Sequence, residues 1–185
     1  RTFTEKTRIW ISHYRKRDFG GRTTVFQDEL REGRRGLDLI GVTVEMHNPI
    51  DLMIVMLGTN DCKTRYRASA SVIAKGLDQV IRKARQNASR HFDLLVISPI
   101  HLGVGVGDAD FDPEFDAASV AVSRNLANEY RKIALQNHAA FLNASDFAAP
   151  SVTDREHMDE KGHAALADAI YNKIPALQKG LSHVI

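Results

Sequence analysis

The strongest constraint in this chain is a pair of apolar runs, DLMIVMLG at residues 51–58 and DLLVISP at residues 93–99, in which consecutive side chains are apolar. Runs of that length are strand-sized. A strand apolar on both faces must be covered on both, which is the condition of a parallel sheet between helices. Gly58 and Pro99 close the runs, because proline has no N–H to give to a central ladder. Around them the period lengthens to that of a helix. Ile73, Leu77, Val80, Ile81 and Ala84 share one helical face behind a cap at Ser69 or Ser71, and Val122, Leu126, Tyr130, Ile133 and Ala134 mark another. Residues 140–142 read as a third short strand, and Leu166, Ala169, Ile170 and Ile174 as the stripe of a last helix after Asp159. Upstream, Leu37, Ile40 and Val44 predict a helix that stops at Asn48-Pro49, since the residue before proline is pushed out of the helical region. The fold class is therefore α/β, with no internal repeat.

Composition narrows the partners. Apolar residues at 43% and charged residues at 26% fit a folded chain of 185 residues, enough for one α/β domain. A net charge of +2 gives no general pull toward nucleic acid or a membrane surface, and no apolar stretch approaches the roughly 18 to 20 residues of a membrane span. Neither partner is expected. The single cysteine, Cys62, cannot close an internal disulfide, so the expectation is a reducing, cytoplasmic setting. Residues 1–22 break the α/β rhythm: they hold seven Lys or Arg against two acidic residues and no run long enough for a buried strand. Residues 1–19 are read as a basic N-terminal segment, either an irregular arm or a contact for an anionic partner.

In open α/β sheets ligands bind beyond the carboxyl ends of the strands, so polar residues just after a strand are the first site candidates. Gly58-Thr59-Asn60-Asp61 follows the first apolar run. There Gly58 permits a sharp turn and the Asn60 amide can donate to a developing oxyanion, although the same four residue types also make plain turns. Asp154-Arg155-Glu156-His157 precedes the last helix. A carboxylate three residues before a histidine can fix its tautomer and make it a general base, while many such pairs are surface residues or caps. The third element is Gly20-Gly21, where the Gly21 N–H can approach a ligand closely or simply form a turn.

Taken together, GGRTTVF, LREGRRGLD, DLMIVMLGTND followed by Lys63, and DREHMDEKGHAALA closely resemble the SGNH (GDSL-like) hydrolase superfamily, in its small arylesterase, acyltransferase and carbohydrate acetylesterase branch. The resemblance covers nearly all of residues 20–174, and the domain is taken as residues 20–185. It implies a flavodoxin-like three-layer α/β/α fold and hydrolysis or acyl transfer of a small ester through a serine acyl-enzyme. It also implies Gly21 N–H and Asn60 as oxyanion donors, Asp154 and His157 as the last two triad members, no metal or other cofactor, and a homo-oligomer. One departure stands out. The Gly-Asp-Ser block that supplies the family's nucleophile occurs nowhere in the sequence, so the nucleophile is unknown and the first strand is expected to be missing or altered. The expectation is an absent N-terminal portion, with residues 1–19 the remnant of a truncated βα unit. The alternatives are a catalytically inactive binding or oligomerisation module, and a substitute nucleophile such as Ser12.

Other features read as less informative. Asp108, Asp110 and Asp112 alternate as in a calcium loop, but Pro113 and Ser119 fall where an EF-hand needs glycine and glutamate. His157 and His163 do not have metal-ligand spacing. The loop at residues 101–116 is expected to border the pocket, with Gly103, Gly105 and Gly107 favouring mobility. Cys62 is read as a buried structural thiol, Asp61 as an anchor of its loop, and Arg22, Arg31, Arg34 and Arg35 as a solvated face or subunit contact. A weaker reading, a phosphate-binding protein, would need Gly20-Gly21 and the Arg22-Thr23-Thr24 that follows as its cradle.

Overall fold

Alternate residues of the two apolar runs go to opposite faces of one sheet. The computed structural model describes residues 9–11 and 20–180. Its strands β1 (Ile9–Ile11), β2 (Leu52–Val55), β3 (Asp93–Ser98) and β4 (Ala140–Asn143) lie parallel in chain order, β1-β2-β3-β4. Leu52 pairs with Asp93 and Val55 with Val96, while Leu95 pairs with Ala140 and Ser98 with Asn143. The two central runs are buried on both sides, as their composition requires.

Each step between neighbouring strands is made by a helix: α1 (Gly36–His47), α2 (Ala70–Asn87) and α3 (Ala117–Gln136). Right-handed crossovers that all advance in the same direction place their helices on the same face. Accordingly Met53, Val55, Leu94 and Val96 meet Val44 of α1, Ile73, Leu77 and Ile81 of α2, and Leu126 and Tyr130 of α3 in one core. Leu52, Ile54, Leu95 and Ile97 point the other way and are covered by Leu166 and Ile174 of α4 (Glu160–Gly180). The result is a three-layer α/β/α sandwich, the layering that the sequence resemblance implies.

Local signals set most boundaries. Ser69, of the two serines considered, caps α2 by accepting from Val72 N–H at 3.4 Å. Asp116, which the sequence placed in the preceding loop, forms a capping box with Ser119 and starts α3 five residues ahead of its first apolar marker, Val122. Helix α1 ends at His47, one residue before Asn48-Pro49. The basic N-terminal segment departs from expectation. Its apolar triplet Ile9-Trp10-Ile11 pairs in parallel with Leu52, Met53 and Ile54, a strand pairing the sequence did not announce. Ser12 lies outside the described residues.

Candidate active site

Beyond the carboxyl end of β2 the chain must turn at once, and Gly58 makes this possible. Its φ is +125°, and a Cβ there would collide with the hydroxyl of Tyr130, which is wholly buried and donates to Leu57 O at 2.8 Å. A 3₁₀ turn, Asn60–Cys62, follows. Asp61 faces inward from this turn with no exposed surface, and its carboxylate accepts from Thr24 N–H at 2.9 and 3.1 Å and from the Thr24 hydroxyl. Thr24 belongs to the loop that carries Gly21. The Asp61–Thr24 clamp therefore fixes that loop against the turn bearing Asn60, and the Asn60 amide adds a bond to Arg22 O at 3.2 Å. Gly21 has φ +81°, and no described residue accepts its N–H.

Burial pushes the Asp61 carboxyl up to about 6, against the opposing pull of the Thr24 hydrogen bonds. A carboxyl whose folded value lies above its ordinary 3.8 favours the folded state most below pH 3.8, and that contribution is lost as pH rises through about 6. An upward shift of about two units corresponds to about 3 kcal/mol. Asp61→Asn removes this titration, so its stability relative to the parent protein is expected to improve by about 2 kcal/mol between pH 4 and pH 7. Urea unfolding at the two pH values measures it; an unchanged difference would rule out Asp61 as the titrating group.

The segment at residues 151–157 folds around the other carboxylate. Asp154 Oδ1 accepts from Ser151 Oγ at 3.0 Å, Glu156 N–H at 3.0 Å and His157 N–H at 2.9 Å, which leaves Oδ2 for His157 Nδ1 at 2.8 Å. Partial burial raises the Asp154 carboxyl, but these four bonds outweigh it and hold the group at about 2. Asp154 thus stays ionised, and the His157 proton is drawn to Nδ1, leaving Nε2 as the basic nitrogen. Among the described residues no hydroxyl is hydrogen-bonded to Nε2; Glu156 Oε1 stands 3.9 Å from it. Burial also raises the Glu156 carboxyl.

These pieces meet in a cleft of about 400 Å³ beyond the strand ends, bordered by Gly21, Gly58, Thr59, Asn60, Glu156 and His157. The structure brings Gly21, Asn60 and His157 together, with Asp154 behind His157 and Asp61 in the interior. Two N–H donors that share a cleft with a carboxylate-held imidazole can polarise a carbonyl and take a proton from an attacking hydroxyl. The Cys62 thiol is buried and donates to Gly58 O at 3.4 Å; burial pushes its pKa far up, which fits a structural role.

An ion cluster behind the cleft went unread in the sequence. Asp28 and Lys63, only 1% and 3% exposed, join Arg31, Arg65 and Glu114. Arg31 is thereby tied to Asp28 at 3.0 Å while its side chain stays 38% exposed, and its guanidinium lies where a Cβ on Gly21 would come within 3.6 Å. The signal was present only as five scattered charges, since nothing in their spacing shows that they converge. The loop glycines also differ from expectation. A Cβ at Gly103 would stand 2.8 Å from Arg155 Cβ, one at Gly105 would strike the Arg155 guanidinium, and one at Gly107 would strike Phe115 O. These glycines serve close packing, not mobility.

Comparison with known proteins agrees with this architecture. Residues 4–165 match the GDSL-like lipase/acylhydrolase family, and the chain belongs to that family. A carbohydrate acetylesterase from Sinorhizobium meliloti is similar in structure, with TM-score 0.77 and 26% identity over 85% of this chain and 75% of that one. The native aryl esterase of M. smegmatis shares the fold at TM-score 0.77 and 24% identity, covering 85% of this chain and 75% of its own. No curated protein matches the sequence. Family and fold support ester hydrolysis as the general activity. Among the described residues no helix is long and apolar enough to cross a membrane, and no group of three His, Cys, Asp or Glu side chains could hold a metal ion.

Proposed function

We propose that the cleft hydrolyses small carboxylic esters, or transfers their acyl group, through a serine acyl-enzyme. The observation that carries this reading is the meeting of Gly21, Asn60 and His157 in one cleft, with Asp154 2.8 Å from His157 Nδ1. His157 Nε2 takes the proton of the serine hydroxyl as its oxygen attacks the ester carbonyl. The Gly21 N–H and the Asn60 amide hold the resulting oxyanion, and His157 returns the proton to the departing alcohol. Water then repeats the sequence on the acyl-enzyme, or a second alcohol accepts the acyl group.

A second reading, a non-catalytic ester-binding module, draws on the absence of a hydroxyl at Nε2 among the described residues. Hydrolysis of p-nitrophenyl acetate separates the two when paired with labelling by a fluorophosphonate, which phosphonylates only an activated serine. Where the assayed protein carries the serine, turnover together with a single labelled serine, located by peptide mass mapping, is expected and identifies the nucleophile. Neither turnover nor labelling would favour the binding module, and turnover that the fluorophosphonate leaves intact would overturn the serine mechanism.

A further inference from the structure

Arg155 is the one residue of the turn at 154–157 whose backbone lies in the left-handed region, with φ +58°. An arginine gains nothing locally from that conformation, which glycine adopts freely, so something outside the turn must hold it there. The loop at residues 103–111 supplies the partners. Gly103 N–H donates to Arg155 O at 2.8 Å, and Arg155 Nη1 donates to Val104 O at 2.9 Å and to Asp108 Oδ2 at 3.1 Å. The guanidinium also lies 4.1 Å from the centre of the Phe111 ring. Gly103 and Gly105 clear the space this side chain occupies, since a Cβ at either position would run into it. One side chain thus engages three residues of the loop, and the Arg155 carbonyl a fourth, while the backbone sits between Asp154 and His157.

We infer that Arg155 is a positioning residue: it latches the 103–111 loop to the turn and thereby keeps His157 aligned with Asp154 at the edge of the cleft. Its effect on turnover rests on the esterase reading above, whereas its effect on the loop and on the His157–Asp154 bond does not. The individual contacts are weak, because the Arg155 and Asp108 side chains are 35% and 64% exposed. The latch works by geometry, through several bonds in a fixed fork, and Lys should replace it only in part.

Arg155→Gly is the decisive variant, because glycine accepts φ +58° without strain and so separates the latch from the folding of the turn. The expected result is a melting temperature within about 3 °C of the parent, at least tenfold faster amide exchange at residues 103–111, and loss or broadening of the downfield His157 Nδ1–H proton resonance. Turnover of p-nitrophenyl acetate is expected to fall about tenfold through kcat with KM little changed, and Arg155→Lys to recover part of both losses. Unchanged loop protection with an intact Nδ1–H signal in Arg155→Gly would overturn the inference, as would full kcat in the same protein. A parent protein without turnover would count against the esterase reading alone, and the exchange and proton-resonance measurements would still decide the latch.

Discussion

Asp154→Asn is expected to lower kcat for p-nitrophenyl acetate by roughly 10⁴-fold while leaving KM and the melting temperature nearly unchanged. The asymmetry follows from how the carboxylate divides its work. Oδ1 accepts the three bonds that shape the turn, from Ser151 Oγ, Glu156 N–H and His157 N–H. Oδ2 accepts one, from His157 Nδ1. An asparagine can keep its amide oxygen at the Oδ1 position, because the three turn donors demand an acceptor there, so the turn survives. Its amide nitrogen then occupies the Oδ2 position and donates to Nδ1. That forces the imidazole proton onto Nε2, the nitrogen that receives the nucleophile's proton in the proposed mechanism, and a base that already holds its proton cannot act. Steady-state kinetics together with thermal unfolding check the prediction. A comparable loss of stability would mean the residue mainly holds the fold, and an unchanged kcat would remove Asp154 from the mechanism.

The same division between local and long-range information runs through the whole chain. The sheet and its covering helices were legible because each rests on a short-range periodicity: consecutive apolar residues in β2 and β3, and a 3.6-residue stripe in α2 and α4. Gly21, Asn60, Asp154 and His157 were reachable as candidates for a similar reason, since each lies in a compact motif whose resemblance to a family stands in for distance. Asp28, Arg65, Glu114 and Arg155 lie in the ion cluster and the loop latch, and apart from the Asp28–Arg31 pair the side chains that meet there include partners 37 to 83 residues apart along the chain. No period or motif links residues so far apart. The loop glycines show the same limit. Glycine in a sequence signals either freedom or lack of room, and only the approach of Arg155 and Phe115 shows that room was the constraint. The three-residue β1 escaped notice because Ile9–Ile11 is shorter than any run that periodicity can separate from chance.

Asn60→Ala is expected to reduce kcat by roughly 100- to 1000-fold, the usual cost of removing one oxyanion donor. The Asn60 amide has two N–H groups. One is used structurally, bonded to Arg22 O at 3.2 Å, which fixes the roll of the amide plane and leaves the other to donate in the cleft that Asn60 and Gly21 both border. Its position costs nothing at the moment of reaction, because the Asp61–Thr24 clamp and the Gly58 turn have already placed the loop. Alanine also strands the Arg22 carbonyl, so some stability is expected to be lost, and a kinetic control must separate the two effects. Asn60→Asp supplies it. A carboxylate keeps the side-chain shape, but it has no N–H to give and places negative charge where the oxyanion must form, so kcat should fall at least as far as in the alanine variant. A donor used only in the transition state predicts large kcat losses and small KM changes in both proteins. Losses confined to KM would move Asn60 from oxyanion stabilisation to substrate binding, and an unaltered kcat in the aspartate protein would remove Asn60 from the proposed oxyanion hole.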